Sequence, residues 1–248
     1  MKILEEEPPL ADECKLPWII DALLYPISAS GMINLAVFVL LPLLVSFLLG
    51  LLARFLSPFL SFGTSYIIIF LKVPYYIVYG GYVCYYVAHC VIDSSKGSRR
   101  ASDLPIANTF DAGDLVAQVI LLLGCVAICF SLTAFYYIFT KRIDSWFWVL
   151  LVFGGFFFPM FLLRGVMFDC FDAMNPIEIF RSILNTFLPY FCLVLFFMVI
   201  GGFVVMVLPH LPLWRFLKAG IIFYLVFVLA HRLGWFYWWY KDKLKWDL

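Results

Sequence analysis

The chain has 248 residues, of which 65% are hydrophobic and only 13% are charged, and its mean hydropathy is +1.01. A chain this apolar cannot cover a water-soluble surface, and a net charge of +1 gives no sign of nucleic-acid binding. Its long apolar blocks lack the alternation of a barrel strand. They predict an all-α fold: a polytopic membrane helical bundle with about six transmembrane helices and two or three interfacial amphipathic helices.

The first 32 residues are predicted to form an acidic N-terminal tail and an interfacial helix. Residues 1–15 are polar and acidic, without the basic start of a cleaved signal peptide. Residues 16–27 are too short to span a bilayer, and their aromatic and apolar side chains suit a helix lying in the interface. The transmembrane domain is predicted over residues 33–240, and its first span covers 33–56.

The second span has two possible arrangements because Lys72 precedes Pro74. One helix over 65–92 would place Lys72 well inside the bilayer, at a cost of a few kcal/mol. In the alternative, 58–71 lies at the surface, Lys72 marks the interface, and the span covers 74–92. Pro74 then occupies the first turn, where its missing N–H costs nothing. We favour the second arrangement.

Four further spans follow the polar loop 93–113. Asn175, Pro176 and Glu178 together predict a helix start, with Asn as the cap, Pro in the first turn and Glu able to close a capping box. The short amphipathic helix that they open should reach about residue 187. The remaining predicted segments are spans at 114–140, 146–163, 189–208 and 213–235, a charged connection at 164–173, and a basic-aromatic C-terminal end at 241–248.

The second span carries a polar stripe. Its members are spaced by three or four residues, which places them on a single helix face. Hydroxyl groups facing lipid would lack partners, so this face should meet protein, water or a ligand. It is a candidate partner or cavity face, and the simplest interpretation is a packed helix seam with hydroxyls bonded to neighbouring helices. The stripe consists of Tyr75, Tyr79, Tyr82, Tyr86, His89 and Asp93.

Three Gly-Gly pairs lie within predicted spans. Small residues let helices approach closely in lipid, so we predict helix packing at these pairs rather than flexible hinges. The pairs are Gly80-Gly81, Gly154-Gly155 and Gly201-Gly202.

No catalytic, cofactor or metal site is expected. Cys125 and Cys129 share a helix face, but no further ligand stands near them in the sequence, and buried apolar cysteines are the simpler interpretation. His89 and His231 could in principle ligate a haem, yet no flanking pattern supports it. Metalloprotease, nucleophile-elbow and nucleotide-binding motifs are all absent from the sequence.

The distribution of basic residues predicts the orientation. With six spans, both termini lie on one side of the membrane. Eleven lysines and arginines fall on that side and six on the other. The positive-inside rule therefore predicts cytoplasmic termini.

Several landmarks together resemble a known family. They are Leu24-Tyr25-Pro26 followed by Gly31, Gly97 followed by Leu104-Pro105, the Asn175-Pro176 helix start, and the segment from His231 to Trp238. On these residues the chain resembles a family of uncharacterised bacterial multi-pass inner-membrane proteins, distantly similar to the Yip-type membrane proteins. The resemblance implies a helical membrane bundle in the bacterial inner membrane and carries no catalytic residue over. The Yip-type likeness implies membrane organisation or partner recruitment.

These observations favour a non-enzymatic integral membrane scaffold or accessory subunit of a larger membrane complex. Its expected partners are membrane lipids and other membrane protein subunits. The alternative is a transporter or channel component with a path along the polar stripe. A lipid-handling membrane enzyme comes third, because paired acids and bases are missing from the sequence.

Overall fold

The computed structural model describes residues 18–56, 64–98, 112–168, 175–244 and 246, and these residues form helices joined by turns. The helices are α1 (Trp18–Leu24), α2 (Ala29–Leu56), α3 (Thr64–Ser95), α4 (Ala112–Thr140), α5 (Ser145–Phe168), α6 (Pro176–Asn185), α7 (Phe187–Gly202) and α8 (Arg215–Leu244). A 3-10 turn, Tyr25–Ile27, joins α1 to α2, and α7 continues through a π-helical segment, Phe203–Val207, and a 3-10 turn, Leu208–His210.

Six of the described helices are long and apolar enough to cross a membrane. They are α2, α3, α4, α5, α7 with its continuation to His210, and α8. The predicted all-α membrane fold is therefore confirmed, with α1 and α6 as the shorter helices. The predicted acidic tail lies outside the described residues, as do most of the loop at 93–113, the stretch 169–174 and parts of the C-terminal end.

The prediction of a separate surface segment before the second span is wrong. Helix α3 runs unbroken from Thr64 to Ser95 with Pro74 inside it, and residues 57–63 lie outside the described part. The unbroken helix is long enough to place its charged residues at both membrane boundaries. Lys72 and Asp93 are 21 positions apart, about 31 Å along a helix, which matches a hydrocarbon core of about 30 Å. Both charges can reach head groups while the first turns extend beyond the hydrocarbon.

The fourth and sixth spans also run further than predicted. Helix α5 reaches Phe168, so Arg164 belongs to the helix and is buried, rather than starting a charged connection. Helix α8 reaches Leu244, well beyond the predicted end at 235. Helix α6 begins as predicted, since Asn175 Oδ1 accepts the Ile177 amide at 3.1 Å. The Glu178 carboxylate does not close a capping box, because it pairs with Arg164.

The bundle is tightly packed at one end and open at the other. We use "packed end" for the part where α3, α5 and α8 finish, and "open end" for the tips of the α2/α3, α4/α5 and α7/α8 hairpins. Fully buried side chains such as Cys90, Leu163 and Leu233 belong to the packed end. At the open end, side chains such as Phe55 and Phe139 are each 71% exposed. The core that fixes the helices therefore fills only part of the bundle's length.

Glycines permit two close helix contacts near this core. A Cβ built on Gly154 would collide with the Cys129 carbonyl oxygen, so α5 touches the backbone of α4 there. A Cβ on Gly234 would collide with the Val91 carbonyl oxygen and come within 2.5 Å of Ser94 Cβ. These contacts bring α8 against the end of α3.

The other glycines of the three predicted pairs differ in their surroundings. A Cβ on Gly155 would collide with the Met198 methyl group on α7, whereas nothing lies within 4 Å of the Cβ position at Gly80, Gly201 or Gly202. Gly81 is buried. The Cβ positions of Gly80, Gly201 and Gly202 therefore face no neighbouring helix within the described part of the chain.

We expect Gly234→Ala and Gly154→Ala to destabilise the fold, and Gly80→Ala and Gly201→Ala to leave it unchanged. The first two changes place a methyl group against a neighbouring backbone, and overpacking of this kind costs about 1–3 kcal/mol. Thermal unfolding in detergent measures the difference. Equal unfolding temperatures for the four variants would contradict the described α3–α8 and α4–α5 contacts.

Candidate functional site

The polar stripe on α3 packs around one phenylalanine of α2. The Phe38 ring is 1% exposed and lies 6.4, 5.7 and 5.3 Å from the rings of Tyr79, Tyr82 and Tyr86. On its other side it meets the α8 residues Phe223 and Phe227, at 5.7 and 5.9 Å. Phe38 therefore fills the space where α2, α3 and α8 meet.

Two hydroxyl groups of the stripe bond to α2. Tyr79 donates to the Phe38 carbonyl oxygen at 2.6 Å, and the Asn34 side-chain amide donates to the Tyr86 hydroxyl. Asn34 and Tyr86 are both almost completely buried. This part of the stripe is a hydrogen-bonded helix seam, as a bundle in lipid requires of polar side chains.

The two ends of the stripe have different surroundings. The Tyr75 ring stacks on Tyr79 at 5.9 Å, and its buried hydroxyl has no hydrogen-bond partner among the described residues. At the packed end, His89 Nε2 lies 3.6 Å from Asp93 Oδ2, and these side chains are 36% and 23% exposed. The structure thus separates the six residues into a buried central seam and two distinct ends.

A buried polar junction lies at the packed end, beyond this seam. His231 of α8 stacks on Tyr25 with ring centroids 3.9 Å apart, and its Nδ1 lies 2.9 Å from Ser94 Oγ. Tyr25, Ser94 and His231 are each at most 2% exposed. Burial raises the pKa of Tyr25, so its hydroxyl stays neutral, and this hydroxyl has no hydrogen-bond partner among the described residues. The junction ties the N-terminal turn to the ends of α3 and α8.

Cys90 lies between this junction and the buried helix seam. Cys90 is fully buried beside Tyr25 and Tyr86. A row of neighbouring buried polar side chains therefore extends from His231 to Asn34, with hydrogen bonds between His231 and Ser94 and between Asn34 and Tyr86. We name it the polar junction; its members are His231, Ser94, Tyr25, Cys90, Tyr86 and Asn34.

The polar junction is closed off from solvent. All six members are almost completely excluded from solvent, so no substrate reaches the Cys90 thiol or the His231 ring in this conformation. His231 is engaged with Ser94, while His89 pairs with Asp93, so the two histidines serve separate contacts. Among the described residues, no group of three or more His, Cys, Asp or Glu side chains could hold a metal ion.

A second polar cluster surrounds Arg164 at the same end. Arg164 pairs with Glu178 of α6, and its guanidinium lies over the rings of Phe168 and Trp246 at 5.4 and 5.5 Å. The Trp246 indole N–H donates to Ser182 Oγ at 2.9 Å. Because Trp246 lies near the C-terminus, this cluster fastens the end of the chain to α5 and α6.

The sequence indicated part of this arrangement. The spacing on α3 placed the tyrosines on a shared face, and His231 was a recognisable polar residue in an apolar segment. Asn34, Ser94 and Cys90 gave no periodic signal, and Tyr25 lies 206 positions before His231. Contacts between such distant positions cannot be read from spacing along one helix.

The comparisons with known proteins add no family assignment. No family model, no curated protein and no solved structure matches this chain. The functional argument therefore rests on the geometry of this protein alone.

We expect Phe38→Ala to destabilise the protein far more than Tyr79→Phe. Removing the Phe38 ring leaves a cavity between three helices and should cost about 3–5 kcal/mol, whereas losing one membrane hydrogen bond costs about 0.6 kcal/mol. Denaturation in mild detergent compares the two variants. A Phe38→Ala protein as stable as the parent would show that this ring does not fill the centre of the bundle.

Proposed function

We propose that this protein is a non-enzymatic integral membrane scaffold or accessory subunit of a larger membrane protein complex. The observation that carries the proposal is the filled polar stripe. Phe38 occupies the space between Tyr79, Tyr82 and Tyr86, where a transport path along the second span would have to run. The tyrosines thus serve the bundle's own packing, and the polar junction offers no accessible reactive group.

The open end supports association with another membrane protein. Its large apolar side chains are exposed, and the hydroxyl of Tyr75 is left buried without an acceptor in the described part of the chain. An unpaired hydroxyl at this depth is costly, and an acceptor from a partner helix would satisfy it. Lys72 lies three residues earlier on the same face.

Purification in polymer discs followed by mass analysis of the intact assembly tests the proposal. We expect a second membrane protein in fixed stoichiometry with this chain. Recovery of only a monomer or a homo-oligomer would overturn the proposal and return attention to transport.

Two matched substitutions sharpen this experiment. Tyr75→Phe removes a hydroxyl that bonds nothing in the described chain, so it should leave the isolated protein's stability unchanged and weaken partner recovery roughly fivefold, about 1 kcal/mol. Tyr79→Phe removes a hydroxyl that donates to Phe38, so its main effect should be on stability. Unchanged recovery with Tyr75→Phe would exclude this hydroxyl from the partner contact.

We further propose a bacterial inner-membrane location with both termini in the cytoplasm, and membership of the Yip-like family suggested by the sequence landmarks. The unequal numbers of basic residues at the two ends support the orientation. The six at the open end are Arg54, Lys72, Lys141, Arg142, Arg215 and Lys218.

The proposed orientation predicts the behaviour of topology reporters. A reporter that is active only in the cytoplasm should work when fused after Leu248 and fail when inserted between Lys141 and Asp144. The short turn at 141–144 joins two spans and so must lie on the opposite side from the C-terminus. Activity with the reverse pattern would place the termini outside.

A further inference from the structure

An apolar groove runs along the outside of the bundle between α2 and α8. It has a volume of about 460 Å³ and is lined by residues of these two helices. In each helix, lining residues recur at intervals of three or four positions, which turns one continuous face toward the groove. They include Met32, Ala36 and Val39 on α2, and Phe216, Gly220 and Tyr224 on α8.

Small residues on both helices keep the groove open. Gly220 has no side chain, and a Cβ built there would lie 3.7 Å from Val39 Cγ2, which is an ordinary contact distance. Ala36, about one turn from Val39, is exposed. On the core side, the Phe38 ring stacks on Phe223 with centroids 5.7 Å apart. The two helices therefore touch toward the core and leave a groove on the outer side.

Both walls belong to apolar parts of helices that can cross a membrane. Helix α2 has no charged residue before Arg54, and α8 has no Asp, Glu, Lys or Arg between Lys218 and Arg232. The Lys218 ammonium donates to the Pro209 carbonyl oxygen at 2.9 Å, so its charge is directed to the loop before α8. The groove therefore faces the hydrocarbon of the bilayer.

Water does not suit this groove. A buried water molecule makes about three hydrogen bonds to polar groups, and Tyr224 has the only polar side chain among the lining residues. The Tyr224 hydroxyl already donates to the Leu23 carbonyl oxygen. The groove must therefore be filled by hydrocarbon, either from lipid or from another polypeptide.

A helix from another polypeptide is too wide to enter the groove. The walls extend over residues 32–40 and 216–224, which is about 12 Å of each helix. A volume of about 460 Å³ over this length gives a mean cross-section of about 40 Å². An α-helix about 10 Å across has roughly twice that cross-section. An unbranched hydrocarbon chain is much narrower than a helix and fits.

We propose that this groove holds one acyl chain of a membrane phospholipid. The chain lies along the outer side of α2 and α8 and gains dispersion contacts from two walls at once. A chain beside a single convex helix face, such as that of Leu44 and Leu48, has only one wall to contact. The lining residues carry no charge, so the head group takes no part in the recognition.

This inference goes beyond the proposed function and does not depend on it. The groove lies between α2 and α8, whereas the proposed partner contact involves the Tyr75 hydroxyl of α3. A failure of the lipid test would leave the partner test intact, and the reverse also holds.

The test gives the full-length protein one equivalent of a photoreactive lipid in excess detergent. The lipid is phosphatidylcholine with a diazirine in the middle of one acyl chain, and the detergent dilutes away lipid that merely surrounds the protein. Illumination links the chain to the residues that it touches, and mass analysis of peptides locates the label. We expect most of the label on residues 29–40 and 216–224.

Three leucine substitutions identify the site. Gly220→Leu and Ala36→Leu each place a side chain in the groove, one from each wall, so the test survives if one of them fails to fold. Gly201→Leu on α7 is the matched control, because nothing lies within 4 Å of its Cβ position. After a check by thermal unfolding, label on the walls should fall about fivefold in the groove variants, since the chain loses contacts with both walls. The control should label as the parent does.

Competition separates the acyl chain from the head group. Unlabelled phosphatidylcholine should displace the photoreactive lipid, and phosphocholine, which is the same head group without a chain, should not. Displacement by phosphocholine would contradict the assignment to an acyl chain.

Three further results would overturn the proposal. Label spread over all exposed apolar surfaces in proportion to their area would show lipid contact without a site. Unchanged labelling of the walls in a folded groove variant would place the chain elsewhere. Label that reaches the walls only after a second polypeptide has been removed would identify a protein as the occupant.

Discussion

The contact between the ends of α3 and α8 is the interaction on which the rest of the structure depends. Gly234 lets α8 approach the Val91 carbonyl oxygen, and this closeness brings His231 within hydrogen-bonding distance of Ser94. Tyr25 then stacks on His231, which fixes the N-terminal turn and the entry of α2. Since lipid provides no hydrophobic drive between helices, such close packing and hydrogen bonding must hold them together. The packed end is thus where the fold is determined.

The thickness of the bilayer explains why the remaining length of the helices is less constrained. A helix with an apolar length near 30 Å spans the bilayer whether or not its half at the open end touches another helix. This is because lipid covers an apolar side chain as well as protein does. Apolar side chains at the open end, such as Phe55 and Phe139, can therefore remain uncovered by protein without meeting water. The tips of the hairpins expose charged residues. On α3, the separation between Lys72 and Asp93 places one charge at each membrane boundary.

The sequence was sufficient for the fold class because hydropathy acts along each helix by itself. It was insufficient at Lys72, where the cost of a buried charge predicts a helix break, because a helix of 32 residues can place that charge near the membrane boundary without one. The charged run that begins at Arg164 predicts a connection, whereas Glu178, Phe168 and Trp246 stabilise Arg164 inside the packed end. The periodic tyrosines were recognisable as one face; Phe38, which fills that face, is an ordinary phenylalanine in an apolar run.

The packed end and the open end differ in charge as well as in packing. The described part of the packed end holds the ion pairs His89–Asp93 and Arg164–Glu178, whereas the basic residues of the hairpin tips form no ion pair among the described residues. The orientation proposed above counts only lysine and arginine, as the positive-inside rule does, because acidic residues contribute little to insertion. After insertion the acidic residues do matter, because an ion pair such as Arg164–Glu178 leaves no net charge beside the compact core. The basic residues of the tips have no such partner among the described residues, so their charges depend on water and lipid head groups for solvation, and the open end is the side of the bundle where such solvation is within reach.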